Sequence, residues 1–199
     1  MWPVGGPLFL ARDDLPRYFE WLFHNLAVAL HAEWRVGVES LDGVPSCAPG
    51  DGERWQCVRK MFVHERGGED GSAQSLWLLQ AIPRSWLKPG ARLGVRDMGT
   101  LFGGRLNLEL AVSSQGTVTV DTQWRDFAVL PSRIVMRVRT QYDSPPSVIQ
   151  LDGRSAPLLP GDLIELPVKS RGHHRIVVNP GTDIPKAEQD SPNVTSRSL

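Results

Sequence analysis

The chain has 199 residues, 41% of them hydrophobic and 22% charged, which is ordinary globular composition and excludes a wholly disordered protein. Lys plus Arg (22) equals Asp plus Glu (22), so no net field draws in nucleic acid or an anionic membrane, and neither is expected as a partner. The longest apolar region, Trp21 to Leu30, is interrupted by His24 and Asn25 and falls short of the ~20 apolar residues of a spanning helix, so the chain is expected to be soluble.

The opening MWPVGGPLFLARDDLPR has no basic segment followed by an unbroken apolar core and a small-residue cleavage site, so no export signal is visible. From Leu15 to about Glu33 the sequence predicts a helix, with Asp13 or Asp14 as its N-cap and no Gly or Pro after Pro16. Arg17, Glu20, His24 and His31 form one narrow polar stripe, and Tyr18, Trp21, Phe23 and Leu30 lie on a wide apolar surface that needs neighbours. This surface is expected to be left partly uncovered. Gly43 to Gly52 is dense in turn formers and is expected as loop, followed by a second helix over Glu53 to His64. Cys47 and Cys57 supply neither a disulfide framework nor a zinc site and are expected as thiols, a local bridge being the lesser alternative.

Arg66 to Ser72 is polar and Gly-rich and reads as a boundary, after which the apolar period changes from helical to alternating. Eight strand-like runs follow, from SLWLLQAI at Ser75 to HRIVVN at His174. Leu106, Leu108 and Leu110 alternate with Asn107 and Glu109, and Ile134, Met136 and Val138 with Arg137 and Arg139, so each strand is expected to have one wet face. The fold class expected is mainly β, an antiparallel β-sandwich preceded by one or two helices. The divisions are a helical segment over 1–71, a sandwich over 72–180 and a disordered tail over 181–199, where apolar periodicity ends.

The stretch from Ser75 to Val112 resembles the junction in bacterial six-hairpin glycosidase-like proteins at which an (α/α)6 toroid passes into a C-terminal sandwich. The resemblance rests on Leu76, Leu78, Leu79, Ile82, Pro83, Arg84, Trp86, Leu87 and Gly90, then Thr100, Phe102 and Gly103, with a departure at Met98–Gly99, where relatives tend to carry Ala-Pro. FHNLAVALHAEW upstream and RIVMRVRT downstream are similar more loosely. It implies that residues 1–71 are the end of an incomplete toroid, that Arg84 and Trp86 serve interdomain packing, and that the partners are an oligosaccharide or polysaccharide and an N-terminal catalytic region. The chain alone is expected to be inactive.

Glycoside hydrolysis calls for two carboxyl groups flanking the scissile bond. Glu39 and Asp42, in the loop after the first helix, are the catalytic candidates, each weighed against a merely solvated carboxylate. Trp34, Trp55 and Trp124 are the candidates for stacking on sugar rings, whereas Trp21, Trp77 and Trp86 sit in apolar patterns and are expected in the core. His173 and His174 point to opposite faces of a strand, and both are expected at the surface. No metal or cofactor is expected, and no nucleophile elbow, phosphate loop or dinucleotide fingerprint is present. A non-catalytic carbohydrate-binding or protein-interaction module is the competing function.

Overall fold

The structure is a computed structural model and describes residues 5–29, 48–67 and 73–181. A short helix, α1 (Gly5–Ala11), opens it, and Gly6 lies so close to the Trp21 ring that a Cβ there would collide with it. The chain reverses at Asp13, which has φ 61°. Asp14 then caps α2 (Leu15–Ala29): its carboxylate accepts the Arg17 N–H at 3.4 Å and its carbonyl the Tyr18 N–H at 3.0 Å. Leu15, Tyr18 and Leu22 recur at helical spacing and are buried, and the Tyr18 hydroxyl donates to the Cys57 carbonyl at 2.8 Å. Arg17, Glu20 and His24 face solvent, as the stripe predicts. The chain thus covers Tyr18 itself, while Phe23 stays 47% exposed.

The next helix, α3 (Ala48–Phe62), begins inside the predicted loop, because Pro49 falls in its first turn, where no intrahelical N–H donor is required. It also ends two residues early. Val63 starts strand β1 (Val63–Gly67), which pairs antiparallel with β2 (Ala73–Leu78).

From there the alternating runs form two sheets. After β2 and a 3₁₀ turn over Arg84–Trp86 come β3 (Arg92–Gly99), β4 (Arg105–Val112), β5 (Val118–Arg125), β6 (Arg133–Arg137), β7 (Val148–Leu151), β8 (Arg154–Ser155), β9 (Leu163–Leu166) and β10 (Gly172–Asn179). One sheet has the order β1-β2-β6-β9 and the other β3-β4-β5-β10-β7-β8. The sandwich expected from the sequence is therefore the fold. Among the described residues every pairing is antiparallel but β2 with β6, which run parallel, the chain making β3, β4 and β5 in the opposite sheet before returning.

Leu106, Leu108 and Leu110 from the six-stranded sheet meet Leu76, Leu78, Ile134 and Met136 from the four-stranded one in a shared core, and Asn107 and Glu109 face solvent. The wet outer face expected for β6 is a correction. Val135 and Arg137 are buried there, along with His64 of β1, because the helical segment covers that face and makes a third layer. In the opposite sheet Gly172 marks a close approach: a Cβ would overlap the Trp124 indole. Gly172→Ala should therefore destabilise the fold by about 1–3 kcal/mol, seen as a lowered thermal midpoint. An unchanged midpoint would mean that Trp124 has room to move.

Candidate functional site

A buried polar cluster lies where the helices meet the four-stranded sheet. Gln80, fully buried just after β2, donates from Nε2 to the Leu10 carbonyl at 2.8 Å and to the Asp13 carboxylate at 3.1 Å. Its amide orientation leaves Oε1 toward His64 Nδ1 at 2.7 Å, so Nδ1 must carry the proton and donate. Burial, with the nearby cations Lys60 and Arg66 adding to it, pulls the His64 pKa down to about 4 against the opposing pull of the Gln80 bond. The imidazole is neutral at pH 7.

Arg137, whose side chain is 1% exposed, pairs with Asp13 and donates to the Gln80 carbonyl at 3.1 Å. Arg66 reaches the Leu10 carbonyl at 3.1 Å and approaches Asp13 at 3.9 Å, its guanidinium lying 3.6 Å from the centroid of the Trp77 ring. One carboxylate on the turn between α1 and α2 thus serves two arginines from two strands. The network binds helix to sheet.

Two further arginine clamps are built alike. Glu65, with a side chain 3% exposed, takes both guanidinium nitrogens of Arg59 at 2.6 and 2.7 Å and the Leu101 N–H at 3.2 Å. Burial opposes its charge, yet Arg59 and the backbone donors hold its carboxyl below the usual range. Arg84, in the segment resembling the interdomain junction, donates to the carbonyls of Thr140 and Tyr142 at 2.9 and 2.5 Å and to Asp162 at 3.2 Å, where Arg139 also binds. It ties the connection after β6 within the sandwich. Thr100, Phe102 and Gly103 form a tight turn with Phe102 buried and Gly103 at φ 89°.

Of the residues singled out for sugar chemistry, Glu39, Asp42 and Trp34 lie outside the described residues. Trp55 stands on α3 and is 72% exposed. Trp124 is corrected: it is 1% exposed, its ring is packed against Phe127 and His174, and its N–H donates to the Lys169 carbonyl at 2.9 Å, which leaves no face for a sugar. Trp21, Trp77 and Trp86, expected in the core, are only half-buried. His174 is a second correction. Strand alternation turns it inward against Trp124, and its Nδ1 lies 2.7 Å from Asp152 in the β7–β8 turn; His173 is exposed as expected.

A cleft of about 550 Å³ opens between β7–β8 and β9, lined in part by Leu151, Asp152, Arg154, Ile164 and Glu165. Its two carboxylates are engaged, Asp152 by His174 and the Arg175 N–H, Glu165 by Arg133 at 3.1 Å. A depression of about 800 Å³ lies over β3 and β4 among Arg92, Arg96, Asn107 and Glu109. Among the described residues no group of three or more His, Cys, Asp or Glu is placed to hold a metal ion, and no helix is long and apolar enough to cross a membrane. No protein-family model and no curated protein matches the chain.

Sequence reasoning missed the Asp13 cluster, since Asp13 was weighed only as an N-cap and Arg137 only as the wet side of a strand. The signal available was Gln80 inside an apolar run with no polar neighbour to satisfy it, a side chain that requires distant partners once buried.

Proposed function

We propose that this chain is a non-catalytic sandwich module of a glycosidase-like, carbohydrate-active protein, and that its task is to hold helical elements in place beside the catalytic region. The observation carrying this is the Asp13–Gln80–His64–Arg137 network, in which buried charge joins the α1–α2 turn to the four-stranded sheet. The resemblance over Ser75–Val112 also supports this reading, with Phe102 buried and Gly103 in a tight turn, although Arg84 binds within the sandwich and not across a domain boundary. Removing the Asp13 carboxylate would leave the buried Arg137 charge uncompensated, so the pairing favours this arrangement of helix and sheet.

The expected result is one cooperative thermal transition, the helical signal and tryptophan fluorescence changing together, with no turnover of aryl glycosides or oligosaccharides. Helices that melt separately below the sandwich, or any glycoside turnover, would overturn it. A carbohydrate-binding role is favoured by one feature, the exposed Trp55 indole. Retention on an insoluble polysaccharide that is lost in Trp55→Ala would decide for that role.

A further inference from the structure

Three aliphatic side chains project from one end of the sandwich: Leu101 is 75% exposed, Val129 63% and Leu130 52%. They come from two loops that are bonded together, since the N–H groups of Ala128 and Val129 both donate to the Phe102 carbonyl, at 2.8 and 3.1 Å. Glu65 holds the Leu101 N–H from below, and the buried rings of Phe102 and Phe127 support both loops with centroids 6.0 Å apart. The tips are therefore presented on a fixed base.

The surrounding charge is net positive. Arg105 and Arg125 share a single carboxylate, Asp97, at 3.5 and 3.2 Å. The Phe127 N–H donates to the Ser170 carbonyl at 3.2 Å, which brings a third loop alongside with exposed Lys169 and with Arg171, paired to Asp126 at 2.6 Å. Four cations thus face two carboxylates around the apolar tips. The chain's total charge of zero averages this local excess away.

Sugar rings stack on aromatic faces, which these aliphatic tips lack. Three such side chains expose on the order of 300 Å² together, well short of the roughly 800 Å² per partner of a stable protein interface. Peripheral membrane binding needs less area but two signals, an apolar insertion and a basic patch, and both are present here. We propose that this end of the sandwich binds the surface of an anionic bilayer, Leu101, Val129 and Leu130 entering the acyl boundary while Arg105, Arg125, Lys169 and Arg171 meet the headgroup phosphates.

Co-sedimentation of the full chain tests this with phosphatidylcholine vesicles, with and without phosphatidylglycerol, at low and high salt. The chain is expected to partition onto the phosphatidylglycerol vesicles only, and less so at high salt as the charges are screened. The variant Lys169→Ala/Arg171→Ala should lose on the order of tenfold in partitioning. Leu101→Ser/Val129→Ser/Leu130→Ser should abolish it with an unchanged circular dichroism spectrum, because these side chains already face solvent. Absence of partitioning at low salt, equal partitioning onto neutral vesicles, or undiminished partitioning of the triple variant would each overturn the proposal; the last would indicate plain ion exchange.

Discussion

Asp13→Ala is expected to destabilise the fold by about 1–3 kcal/mol: Arg137 is buried, but the Asp13 carboxylate is 36% exposed, so solvent screens the pair and the loss falls below that of a fully buried one. For a chain of this length that is roughly 2–12 °C in the thermal midpoint. The cost arises on the partner: Arg137 stays almost wholly buried, with the second cation of Arg66 nearby and no carboxylate between them. Asp13 also sits at φ 61°, where alanine is strained and asparagine is not. Asp13→Asn therefore separates the two effects, since it keeps the backbone and removes only the charge. Most of the loss should remain in Asp13→Asn, and the helical signal should fall with it. An Asp13→Asn protein as stable as the parent would show that the charge at this junction contributes little.

Acidification is expected to cost about 3 kcal/mol between pH 6.5 and pH 4 through His64 alone, at roughly 1.4 kcal/mol per unit of pKa difference. The folded pKa is depressed, from 6.5 to about 4, chiefly by burial. Between those values the unfolded chain binds the proton and the folded chain does not. The contribution is complete above pH 6.5 and is lost as pH falls through about 4. Glu65, also held low, adds a loss further down, as its carboxylate is titrated away from Arg59. Urea unfolding across this pH range measures the slope, and His64→Gln, which can still donate to Gln80, should flatten it. An equal slope in His64→Gln would place the acid-sensitive group elsewhere.

The sandwich was legible because strands with one buried face write their burial into the sequence at period two. Leu106, Leu108 and Leu110 alternate with polar residues, and the structure buries the first set and exposes the second. The same rule failed at β6, where Arg137 reads as an outward residue. Period two says which residues share a face, and the helices decide whether that face is wet. His174 shows the converse: the alternation placed it opposite His173 correctly, but its burial depends on Trp124 in the neighbouring strand and on Asp152 in a turn 22 residues away.

Trp124 was equally out of reach of pattern. A tryptophan at the end of a strand has the same local signature whether it faces a ligand or a core, and only the close approach of Gly172 and the Phe127 ring fixes it inside. The sequence by itself determined the mainly β architecture, the helix over Leu15 and beyond, and the faces of β4. Tertiary structure alone decided the parallel joining of β2 to β6, the change from helix to strand at Val63, and the union of Asp13, His64, Gln80 and Arg137. The physical reason is range: secondary structure and face follow from neighbours a few residues apart, whereas a buried polar group is satisfied by whatever residue the fold brings to it, here Asp13 to Arg137 across 124 positions.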